Sequence, residues 1–128
     1  MNLYNQDDNH GFWTWDEIMA SAYKDYVPAK EHFGELRGCC SWDWDDERKG
    51  MVLTSEKNGN SIFLPAEGYR EGSYVRLVGV GGEYLMSTKD DKYSEVFYNL
   101  DFAESGVNID CYSDCGLDGL SVRLVKKK

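Results

Sequence analysis

At Gly50 the periodicity of this chain changes, and that change limits the architectures open to it. Before it, apolar residues recur at helical spacing. After it, short runs alternate apolar and polar residues between turn-formers. The segment "FWTWDEIMASAY" (12–23) predicts a first helix. Thr14 and Glu17 have the T-x-x-E spacing of a capping box, and Ile18 and Ala22 follow on one face. "VPAKEHFGELRG" (27–38) predicts a second, with Pro28 in its first turn, Phe33 and Leu36 inward, Gly34 as its weak point and Gly38 closing it. "MVLT" (51–54) and "SIFLP" (61–65) flank the hairpin dipeptide Asn58-Gly59. "SYVRLVGV" (73–80) reads as a half-buried strand, and "EYLMST" (83–88), "VFYNLDF" (96–102), "GVNID" (106–110) and "LSVRLV" (120–125) as further strands. Two helices followed by many short strands give an α+β order, with the helices packed on mostly antiparallel strands, not a parallel-sheet enzyme. With 128 residues and neither repeat nor low-complexity linker, one domain is expected over residues 1–128.

Charge narrows the partners. Fourteen Lys and Arg stand against 23 Asp and Glu, a net charge of −9 that repels nucleic-acid phosphates and anionic membranes. The basic tail Lys126–Lys128 is too short to reverse this. No apolar stretch approaches the roughly 20 residues of a membrane helix, so no direct membrane insertion is expected. The opening "MNLYNQDDNH" lacks the charged-then-apolar pattern of a secretory signal. Nine Tyr and four Trp exceed what a core of this size requires, and both residue types also serve as rigid anchors in binding surfaces.

Catalytic patterns are missing from the sequence. It holds no G-x-S-x-G, H-E-x-x-H, phosphate-binding loop or G-x-G-x-x-G, and "GVGG" (79–82) reads as a turn. The two histidines, His10 and His32, give a triad few places to form, and His32 reads as a solvent-facing helical residue. "WDWDDE" (42–47) gathers oxygen ligands as calcium favours, yet lacks the spacing of a calcium loop. It reads better as an acidic turn between helix and sheet, anchored by Trp42 and Trp44. The adjacent Cys39 and Cys40 are too close to bond each other without strain. Cys111 and Cys115 lack the two further soft ligands zinc would need, and are either free thiols or a local disulfide. No metal and no cofactor are expected.

The stretch "NGNSIFLPAEGYREGSYVRLVGVGGEYLMST" (58–88), followed by "YNLDF" (98–102) and "LSVRLV", resembles the Fibrobacter succinogenes major paralogous domain, a family of the C-type lectin-like superfamily common in gut Bacteroidetes. "VPAKEHFGEL" (27–36) and "CCSWDW" (39–44) are similar to the family's upstream helix and C-x-W-x-W segment, so the resemblance covers residues 27–125 in unbroken order. The chain departs from the pattern at Leu85 and Met86, where the family has Trp-Ser, at Leu124, where it has proline, and at Gly116, where arginine is common. These departures are expected near a variable surface.

The resemblance implies a C-type lectin-like fold and a non-enzymatic binding module, because members of this group serve as the displayed proteins of diversity-generating retroelements. There, randomised adenines turn asparagine codons into a set that excludes Lys, Glu, Gln, Met and Trp when the third base is a pyrimidine. Residues 105–122, "SGVNIDCYSDCGLDGLSV", contain none of these five, although the rest of the chain contains all of them. A ligand surface is therefore expected in a C-terminal loop: Asn108, Asp110, Tyr112, Ser113, Asp114, Leu117 and Asp118, with Asn99 and Asp101 on its flank and Asp90, Asp91 and Tyr93 on a neighbouring loop. The expected ligand is a protein or a cell-surface glycan, and the expected location is extracellular, on a cell or virion surface. A calcium-type sugar lectin is disfavoured because neither E-P-N, Q-P-D nor W-N-D occurs. Two alternatives accompany this reading: a relative of the formylglycine-generating copper–cysteine oxidases, and a structural domain of a surface lipoprotein, fimbria or phage fibre.

Overall fold

A computed structural model describes residues 2–4, 12–71, 74–89, 96–114 and 118–126. Their order is β1 (Asn2–Tyr4), α1 (Trp15–Met19), a 3-10 turn (Lys24–Tyr26), α2 (Lys30–Cys39), β2 (Cys40–Asp45), β3 (Gly50–Ser55), β4 (Ser61–Pro65), β5 (Tyr69–Glu71), β6 (Tyr74–Arg76), β7 (Gly81–Lys89), β8 (Val96–Ala103), β9 (Gly106–Asp114), β10 (Asp118–Gly119) and β11 (Leu124–Lys126). The strands form antiparallel ladders in the orders β2-β3-β4, β7-β8-β9, β10-β5-β6 and β1-β11. The fold is α+β, with few helices and mostly antiparallel sheets, as the change of period at Gly50 implies.

Local chemistry sets the helix ends. At α1 the Thr14 hydroxyl accepts from the Glu17 amide (3.1 Å) and the Glu17 carboxylate from the Thr14 amide (2.9 Å), the reciprocal cap that the spacing predicts. The helix is shorter than the expected 12–23. Ser21 donates its hydroxyl to the Ile18 carbonyl (2.7 Å) and accepts from the Tyr23 amide (3.1 Å), so its side chain competes with the helical ladder and ends it. At α2, Pro28 lies before the helix and not in its first turn; its carbonyl accepts from Ser87 of β7 (2.9 Å). His32 is half-buried, its Nδ1 accepting from the Ala29 amide (2.8 Å), where the sequence suggested a solvent-facing residue. The helix also runs through Gly38 to Cys39, and β2 begins at the next residue.

Among the described residues two apolar cores form. Phe33 of α2 meets Met51, Leu53, Leu64, Tyr84, Met86, Leu100 and Phe102 in the first; Trp13, Ile18, Val27, Leu85, Leu120 and Val122 make the second. Alternation along β7 feeds both, because Leu85 and Met86 point to opposite faces. These two departures from the family pattern are therefore fully buried, not near a surface as expected. Each fully buried side chain of this size stabilises the fold by about 1.5–3 kcal/mol.

Four other expectations need correcting. "WDWDDE" is mostly strand β2, with Trp42 and Trp44 half-buried against the first core; the turn is residues 46–49. "SYVRLVGV" is strand only over Tyr74–Arg76, and Leu77, Val78 and Val80 lie exposed on a turn. Strand β9 covers the expected 106–110 but runs on to Asp114, paired along β8, into the stretch expected to be a displayed loop. The last apolar run, 120–125, is also less regular than expected: Leu120 and Ser121 make isolated bridges to Trp13 and Tyr84 before β11 begins. Among the described residues no helix is long and apolar enough to cross a membrane.

Candidate functional site

The expected surface residues divide between two sheets. On β8 and β9, Asp101 pairs in register with Asn108, Asn99 with Cys111, Tyr98 with Tyr112, Phe97 with Ser113 and Val96 with Asp114. Between the Asn99–Cys111 and Asp101–Asn108 pairs, β8 has the one residue Leu100, whereas β9 has Ile109 and Asp110. This bulge shifts the pairing of β9 against β8 by one residue. Asp101 is half-buried and Asn108 exposed, and they border a shallow hollow of about 280 Å³ at the β8–β9 turn. Asn99 is fully buried, so its side chain is no part of any open surface. Asp118 lies elsewhere, on β10, opposite Glu71 of β5. Asp90, Asp91, Tyr93 and Leu117 lie outside the described residues, as do the side chains of Asp110, Tyr112, Ser113, Asp114 and Asp118.

Sheet β10-β5-β6 brings this C-terminal segment beside residues that the sequence reading missed. Its register places Asp118, Glu71 and Tyr74 in one row and Gly119, Arg70 and Val75 in the next. Tyr74, Val75, Leu77, Val78 and Val80 are each between 51% and 69% exposed, a concentration of large apolar side chains that soluble surfaces rarely carry within seven residues. The segment is firmly built. The Val80 amide donates to Leu77 (2.9 Å), the Gly79 amide to Ala66 (2.8 Å) and the Gly68 amide to Gly81 (2.9 Å). Leu77 adopts a left-handed φ of 63°, uncommon for a bulky side chain and held by those bonds. Gly68, at φ 70°, sits so close that any Cβ would collide with the Arg76 carbonyl. Its one sequence signal is that "LVGVGG" offers no polar alternate face, unlike a half-buried strand.

Around the turn a shallow cavity of about 560 Å³ opens between Val80, Trp44, Ala103, Lys49 and Glu104. Charges on its β2–β3 side pair with one another. Asp45 accepts from the Arg48 and Glu47 amides and pairs with the Arg48 guanidinium (2.7 Å); Asp46 pairs with Lys49 (2.8 Å). Hydrogen bonds from Arg48 hold the Asp45 carboxyl below its ordinary value, and Lys49 and Trp44 do the same for Asp46. Arg76 lies 3.7 Å from Glu71, and the Arg70 guanidinium covers Gly119. Among the described residues no group of three His, Cys, Asp or Glu could hold a metal ion. Comparison of the chain with protein-family models, curated proteins and solved structures finds no match.

Proposed function

We propose that this chain is a non-enzymatic binding module, built on a C-type lectin-like scaffold, that holds a protein partner through sheet β10-β5-β6 and the apolar turn beside it. The observation that carries this reading is the exposed set Tyr74, Val75, Leu77, Val78 and Val80, running from strand β6 onto a turn fixed by backbone hydrogen bonds. Ordered apolar side chains lose little conformational freedom on docking, and covering them recovers roughly 25 cal/mol for each Å² removed from water. A protein fits this surface better than a glycan. Leu and Val offer a sugar's hydroxyl groups no hydrogen bonds in exchange for water. Tyr74 is the side chain best suited to anchor the contact, being large, rigid and polar at its tip.

In this reading the C-terminal segment tunes the contact from the adjoining strand β10. Retroelement diversification remains part of the proposal, supported by the restricted residue set of 105–122. Within that span Leu120, Ser121 and Val122 are buried, so variation would be confined to the residues before them. Such a module belongs on a cell or virion surface.

The test is a chain with Leu77→Ser, Val78→Ser and Val80→Ser together. It should keep the unfolding midpoint of the unaltered chain and lose at least tenfold in affinity for the protein that the unaltered chain retains in affinity capture. Unchanged affinity, or unfolding of the variant, would overturn the proposal.

A further inference from the structure

We infer that Cys39 and Cys40 form a chelating dithiol for a trivalent arsenic centre. Cys39 is the last residue of α2 and Cys40 the first of β2, with no loop between them. The Cys40 amide donates to Leu36, and the Cys39 carbonyl accepts from Glu56 (3.1 Å), so backbone bonds on both sides fix the junction. Cys39 is exposed and Cys40 half-buried. Both open on a groove of about 390 Å³ whose lining includes Ser55, Lys57, Asn58 and Asn60.

Geometry selects the ligand class. Adjacent Cα atoms lie about 3.8 Å apart, below the roughly 4.4–6.8 Å that an unstrained disulfide spans, so direct closure of the pair is opposed. A single bridging atom widens the ring and relieves that strain. An ion that needs four protein ligands is not served, because among the described residues no third His, Cys, Asp or Glu joins the pair. A trivalent organoarsenic centre needs only two sulfurs and keeps its remaining substituent, which the groove can meet with apolar Leu36, Leu53 and Ile62 beside polar Ser55 and Asn60. Burial and the neighbouring Cys39, with smaller effects from Glu56 and Glu35, raise the Cys40 thiol, so it stays protonated near neutral pH. Condensation suits such a thiol. Two As–O bonds of a dihydroxyarsine break, two As–S bonds form, and the thiol protons leave with the hydroxides as two waters. Arsenic remains trivalent, and no oxidant or reductant takes part.

The test treats the folded chain with phenylarsine oxide, which hydrates to the dihydroxyarsine, then digests it with trypsin. Cleavage after Arg37 and Arg48 gives a fragment, 38–48, that carries both thiols and separates them from Cys111 and Cys115. One phenylarsenic on that fragment, retained through a monothiol wash and released by a dithiol, is expected. Cys39→Ser, at an exposed position that leaves folding intact, should reduce retention at least tenfold. A second arm exposes the chain to glutathione disulfide, after which fragment 38–48 should show no loss of two hydrogens. Arsenic found only on the fragment with Cys111 and Cys115, unaltered retention in Cys39→Ser, release by monothiol, or an internal disulfide in 38–48 would each overturn the inference.

Discussion

Single side chains decide several local outcomes. The Thr14 hydroxyl satisfies a helix amide that nothing else in α1 reaches, and Thr14→Ala should cost about 1 kcal/mol in urea denaturation. Asp45 gives a pH prediction. Its folded-state value lies below the ordinary 3.8, so the stability it contributes is present above that value and is lost as pH falls through the lower, folded one. The carboxyl-carbon midpoint followed by NMR should therefore fall below 3.8, and Arg48→Ala should move it upward. Thr14 was legible because a cap needs only local spacing. The burial of Asn99 was not, since nothing nearby in sequence tells that Phe97 on the same strand face is stacked under Trp15, ring centroids 3.6 Å apart.

Among the elements, β3, β4, β7 and β8 follow from alternation and from the Asn58-Gly59 turn, where Gly59 takes the left-handed φ of 75° that the dipeptide favours. Two segments escape that logic. Residues 73–80 carry apolar residues at strand spacing, yet among the described residues β6 pairs only with β5 and lies exposed, so apolar composition here does not mean burial. Residues 111–114 look like a loop because Ser113 and Asp114 favour turns, yet ladder pairing with β8 outweighs their weak strand preference. The close approach at Gly68 makes the sharpest prediction at this scale. Gly68→Ala combines a left-handed φ with a collision against the Arg76 carbonyl, so it should destabilise by more than about 3 kcal/mol. A thermal melt measures this, and a near-neutral result would mean that the turn at 77–80 is not held as described.

For the whole molecule, fold class was legible but the arrangement of sheets was not. The pairings that assemble it join distant residues: Leu3 with Val125, Glu71 with Asp118, and Trp13 with Leu120. No local pattern encodes such pairs. β7 ties the assembly together, and Leu85→Ala and Met86→Ala should each cost about 2–5 kcal/mol in urea unfolding although they empty different cores. The second core has a further consequence, for the order in which the protein is made. Trp13 and Ile18 leave the ribosome about a hundred residues before Leu120 and Val122, which share their core. Until that later stretch is made, the second core holds only its earlier members, Val27 and Leu85 among them, and its completion waits on a contact distant in sequence.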